Sequence, residues 1–124
     1  MIGGFFISKE KTDSPDKMKA HEILRSLTYD KGFHFFTDVG CYTGETAINL
    51  FAFYEELKVI EMKAIKFHLK REDFQKWINN TLGDKDLGNK LSKVNSELPD
   101  EELRKKILST VQERLVELQT IALK

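Results

Sequence analysis

Residues 65–70, Ile65-Lys66-Phe67-His68-Leu69-Lys70, give the cleanest strand signal in the chain. Apolar and polar residues alternate without a break, which is the period of a half-buried strand. Ile65, Phe67 and Leu69 then face a core, and Lys66, His68 and Lys70 face water. Upstream, Phe33-His34-Phe35-Phe36-Thr37 is aromatic and β-favouring. It is apolar on both faces except at His34, as a central strand would be. Between the two, Leu50, Phe53, Tyr54 and Leu57 fall at i, i+3, i+4 and i+7 behind a capping Asn49, predicting a helix over about 50–58. Strand, helix and strand in this order predict a parallel, right-handed βαβ crossover.

Helices surround this unit. Ser14-Pro15 starts one over about 15–28, since serine caps free amides and proline suits the first helical position. Asp73 is read as the cap of a helix carrying Phe74, Trp77, Ile78 and Leu82, ended by Gly83. Asp84 opens a short helix with Leu87, Leu91 and Val94 aligned. Pro99 opens the longest, about 99–122, with acids at 100–102 where the helix dipole favours them. Its stripe of Leu103, Ile107, Val111, Leu115 and Leu118 either packs on the small sheet or pairs with a second copy; packing on the sheet is preferred, because so small a sheet needs a cover. Residues 2–8, IGGFFIS, read as an edge strand or a segment folded onto the core. The expected fold class is α+β: a small two- or three-stranded sheet with a βαβ unit, covered by four to five helices.

At 124 residues the chain has one domain's length. Twenty basic and twenty acidic side chains give zero net charge, which argues against a broadly basic nucleic-acid coat. The charge is uneven: residues 63–93 hold eight basic side chains against four acidic ones. The lone Cys41 excludes an internal disulfide and a cysteine-based zinc site. No apolar run reaches a membrane span, so a cytoplasmic setting without membrane contact is expected.

The strings FHFFTDVGCYTGETAINL (33–50), IKFHLKREDFQKWINNTLGDKDLGNKL (65–91) and ELPDEELRKKILSTVQERLVEL (97–118) stand together in order. Thr43-Gly44-Glu45-Thr46-Ala47, Phe67-His68, Asp73-Phe74-Gln75-Lys76-Trp77-Ile78 and the turn Leu82 to Gly88 carry a pattern that resembles DUF5752, a family of small archaeal and bacterial domains of unknown function. The resemblance spans about 32–118 and leaves 1–31 as an N-terminal segment and helix. It implies a fold unit rather than an activity, and it carries over no catalytic residue.

Candidate sites follow from residue type. His34 and His68 occupy like places in the two expected strands; two imidazoles need a third ligand such as Asp38, Cys41 or Asp73, and neither a metal nor a cofactor is expected. Tyr42, Thr43 and Glu45 lie in a polar loop after a strand, where α/β sheets gather ligands, though the loop lacks a P-loop's lysine and spacing. Lys66, His68, Lys70 and Arg71, with Trp77 if it is partly exposed, form a surface suited to a partner. The expected function is a non-catalytic protein-interaction or regulatory adaptor, monomeric or a homodimer through the last helix. The alternative is a nucleic-acid-binding regulator using 63–93, whose helix pair 74–82 and 85–94 loosely resembles a helix-turn-helix. A third is a small-molecule or metal sensor, which requires a deep pocket joining His34 and His68 to the 40–46 loop.

Overall fold

The computed structural model describes residues 14–124; the expectation for residues 2–8 lies outside them. Ser14 accepts a hydrogen bond from the Lys17 amide and starts α1 (Pro15–Leu24). A 3₁₀ turn, Tyr29–Lys31, leads into β1 (Phe33–Phe36), and β2 (Tyr42–Ala47) returns beside it. Then come α2 (Leu50–Val59), α3 (Met62–Arg71), the short α4 (Asp73–Lys76) running into a π turn (Trp77–Leu82), α5 (Lys85–Ser92) and α6 (Asp100–Ala122).

The class is α+β, and the long C-terminal helix is present. The βαβ unit is not. Among the described residues the sheet is a two-stranded antiparallel hairpin, with Phe33 opposite Ala47, His34 opposite Thr46 and Phe36 opposite Tyr42. The segment expected to be the second strand is the body of α3, and the segment read as a polar loop is β2.

The correction at 65–70 has a physical cause. In α3 the buried residues are Ala64, Ile65, His68 and Leu69, a helical i, i+1, i+4, i+5 set. His68 is inside although polar, and Phe67 is half-exposed although aromatic. These two inversions turn a 3.6-residue pattern into apparent alternation. Six residues are too few to separate the periods, whereas Met62, Lys63 and Ala64 upstream are helix formers that extend the segment to ten residues.

Phe35, Phe53, Phe74, Leu50, Leu57, Ile65 and Ile78 fill the centre. The α6 stripe Leu103, Ile107, Val111, Leu115 and Leu118 is buried within the monomer, where α1, α2 and α5 pack on the helix. The seam considered for a second copy is thus covered by the chain itself. Gly32 permits the hairpin to close: a Cβ there would lie 2.8 Å from the Ala47 carbonyl oxygen.

The other buried device joins α5 to α6. The Asp84 carboxylate accepts from Arg114 through Nε at 2.8 Å and Nη2 at 3.0 Å, and also from the Leu87 amide at the start of α5. Asp84 is 2% exposed. A bidentate charged fork of this kind answers the desolvation of a buried carboxylate.

Candidate functional site

β1 alternates, with Phe33 and Phe35 buried in the core and His34 and Phe36 on the outer side. Along the outer edge of β1 runs a groove of about 580 Å³. Gly32, Phe33, His34 and Phe36 form one wall; Phe67, Arg71, Lys76, Trp77 and the π turn form the other; Val39 and Gly40 of the hairpin turn close one end. The volume falls within the range of ligand sites, and the lining, aromatic with a few convergent polar groups, has their character. π turns are rare and recur at functional sites; here one carries Trp77, Asn80 and Thr81 to the groove.

His68 holds the groove's walls together. Its Nε2 accepts the Phe36 amide at 2.7 Å, and Nδ1 lies 2.8 Å from Asp73 Oδ2. An acceptor Nε2 on a neutral ring leaves the proton on Nδ1, which donates to the carboxylate. Burial lowers the His68 pKa, opposed by its hydrogen bond and charge attraction to Asp73, with Arg71 adding to the lowering. The ring is therefore a neutral strut between α3, the start of α4 and β1. It lies against the rings of Phe33 and Phe67, with centroids at 4.7 and 5.0 Å.

A left-handed residue makes this geometry. Glu72, at φ 64°, separates α3 from α4 and turns the chain so that Asp73 meets His68 five residues back. A non-glycine residue at positive φ stores strain. Asp73 is not the helix cap expected of it: its Oδ2 accepts from His68 and from Arg71 Nε at 3.0 Å. Arg71 also lies over the Phe67 ring at 4.8 Å. Trp77 is 8% exposed, and its Nε1 donates to the Lys31 carbonyl at 2.9 Å, fastening the other end of β1.

The five partner-binding candidates divide. His68, Arg71 and Trp77 converge on the groove. Lys66 faces away and pairs with Asp100, and Lys70 lies on the opposite side of α3 beside Leu69, Glu72 and Gln75. The expectation that His68 and Lys66 share a solvent face is overturned, since His68 is 3% exposed. The conditional role for an exposed Trp77 falls likewise, although the ring still lines the groove.

The loop candidates are strand residues. Thr43 Oγ1 donates to the Phe35 carbonyl and accepts the Glu45 amide. Tyr42 joins Tyr29 and Thr46 in a chain that ends at His34 Nδ1, 2.7 Å from Thr46 Oγ1. Glu45 faces Glu56, whose pKa is raised by burial and then by this neighbour. His34 and His68 both line the groove but bond to different partners. Among the described residues no three histidine, cysteine, aspartate or glutamate side chains cluster as metal ligands would, and no helix is long and apolar enough to cross a membrane.

Sequence reasoning missed Phe36, Val39 and Phe67 as groove residues and Arg114 as the partner of Asp84. Val39, 75% exposed, carried the one available signal: an aliphatic residue in a Gly-flanked turn has no packing reason to be there.

A hairpin clasped to a helical body, with a groove along the clasp, defines a small α+β domain. The family model for DUF5752, a family of unknown function, matches residues 36–124, and the chain belongs to that family. No curated protein and no solved structure matches it.

Proposed function

We propose that this chain is a non-catalytic protein-interaction module whose partner inserts an apolar side chain into the groove between β1 and α3–α4. The observation that carries this reading is the division of labour around the groove. Of the two histidines lining the groove, His68 has both ring nitrogens engaged, whereas a base needs a free nitrogen within reach of its substrate, and His34 is tied through Nδ1 to Thr46 rather than oriented by a carboxylate. Phe36, Phe67 and Val39 meanwhile offer partly or fully exposed apolar surface, with Arg71 at the mouth. Aromatic walls and an arginine are the usual anchors of an interface.

The basic character of 63–93 gives less support to nucleic-acid binding. Lys66 pairs with Asp100 and Lys90 with Asp86. A phosphate-binding face needs such cations gathered on one side.

The test is affinity capture from the native cell on the tagged full chain, read by mass spectrometry, with three baits: the wild type, Val39→Glu in the groove and Lys63→Glu away from it. A shared protein on the wild type and Lys63→Glu, lost from Val39→Glu, is the expected result. Equal recovery on all three baits, or a nucleotide or metal co-purifying in place of a protein, overturns the reading.

A further inference from the structure

We infer that the groove takes its partner as an extended peptide segment, laid along the outer edge of β1 and bridged to the backbone of His34, with an apolar side chain in the groove and an acidic one toward Lys76. The inference rests on the groove reading above and names the partner's chemistry.

The backbone of β1 supplies the first argument. Odd-numbered residues turn toward β2: the Phe35 carbonyl accepts Thr43 Oγ1, and the Thr37 amide donates to the Cys41 carbonyl. Even-numbered residues turn the other way, since the Phe36 amide donates to His68. The register irregularity does not disturb this alternation. From His34 to Phe36 β1 advances two residues while its partner runs from Tyr42 to Thr46, so the extra residues bulge from β2. The amide and carbonyl of His34 therefore face the groove. Toward the hairpin turn the edge is already fastened, by His68 at the Phe36 amide; at the other end the 3₁₀ turn takes over, where Trp77 holds the Lys31 carbonyl. His34 thus leaves the edge a donor and an acceptor at strand spacing. An exposed strand edge is a template for another strand, and peptide modules use it in this way, with the backbone supplying affinity and adjoining pockets supplying specificity.

Charge supplies the second argument. Asp73 is engaged by His68 and Arg71, whereas Lys76 Nζ meets only the Arg71 carbonyl oxygen, at 3.4 Å, among the described residues. The groove thus has an uncompensated cation at its α4 end and Asp38 at its hairpin end. An acidic residue beside the apolar anchor complements the first and, in one strand direction, avoids the second.

The probe is a library of short random peptides selected on the full chain, the tightest being remade with a single N-methyl group at each position in turn. The expected result is a roughly tenfold or greater loss at the position bridging His34, as the removal of a backbone hydrogen bond in a closed site costs about a factor of ten. The same peptides should carry an acidic residue whose benefit reverses on Lys76→Glu. If Val39→Glu abolishes binding but no N-methyl group matters, strand addition is overturned and the groove reading stands. If no peptide is selected, or selected peptides ignore Val39→Glu, both are overturned.

Discussion

Two pairs of a base and an acid, each with one member buried, tie elements of this molecule together, and they do different work. Asp84 with Arg114 lies between α5 and α6, enclosed and charged, with every oxygen of the carboxylate engaged. His68 with Asp73 lies at the wall of a groove, neutral at the histidine, with its second nitrogen on the edge of β1. The first serves cohesion of the helical body. The second fixes the shape of a surface whose aromatic neighbours remain partly open. The contrast separates a pair that joins helices from a pair that shapes the groove.

The largest effect should come from Asp84→Ala. It removes the bidentate partner of Arg114, leaving that guanidinium only the exposed Glu117 and Asp86, and it uncaps α5, at a cost of about 3–4 kcal/mol, the low end for losing one member of a buried pair. Urea unfolding measures it; a loss below about 1 kcal/mol would mean the pair is solvated after all. His68→Ala comes next, at about 3 kcal/mol from the cavity together with an orphaned Phe36 amide. It should also weaken partner binding, because β1 loses one of its two fastenings.

The same pair separates the regions by pH. The folded His68 has its pKa lowered below the ordinary 6.5, so the unfolded chain takes up a proton more readily. The stabilisation is complete above 6.5 and is lost as the pH falls toward the lowered folded value. Stability of the wild type should therefore decline between pH 7 and 5 more steeply than that of His68→Gln. Parallel profiles would contradict a neutral His68.

A smaller effect is a gain. Glu72→Gly relieves a left-handed backbone and should stabilise by about 1 kcal/mol, measured by the same unfolding. The smallest is Val39→Glu, within about 0.5 kcal/mol of the wild type, as suits an exposed turn residue. Its loss of partner without loss of stability would set the groove apart from the clasp beneath it.

The sequence was most legible away from the groove. Ser14, Asn49 and Asp84 each accept the amide that their capping role requires, and the α6 stripe is buried as its spacing demanded. It misled at 65–70, because a polar residue built into the wall and an aromatic one left on the groove exchanged their expected places. Such conflict between local pattern and global fold is expected at functional sites. β2 was illegible for another reason: Tyr42-Thr43-Gly44-Glu45-Thr46 holds its strand by bulge and hydroxyl bonds rather than by an apolar face. Arg114 could not be paired with Asp84 thirty residues away without the packing of α5 on α6.

Amide hydrogen exchange read residue by residue on the free full-length chain goes most directly to the point. Fast exchange is expected at the His34 amide between slow exchange at Phe35 and Phe36, with Phe36 becoming fast in His68→Ala. A His34 amide as protected as its neighbours, or a Phe36 amide indifferent to the loss of His68, would contradict it.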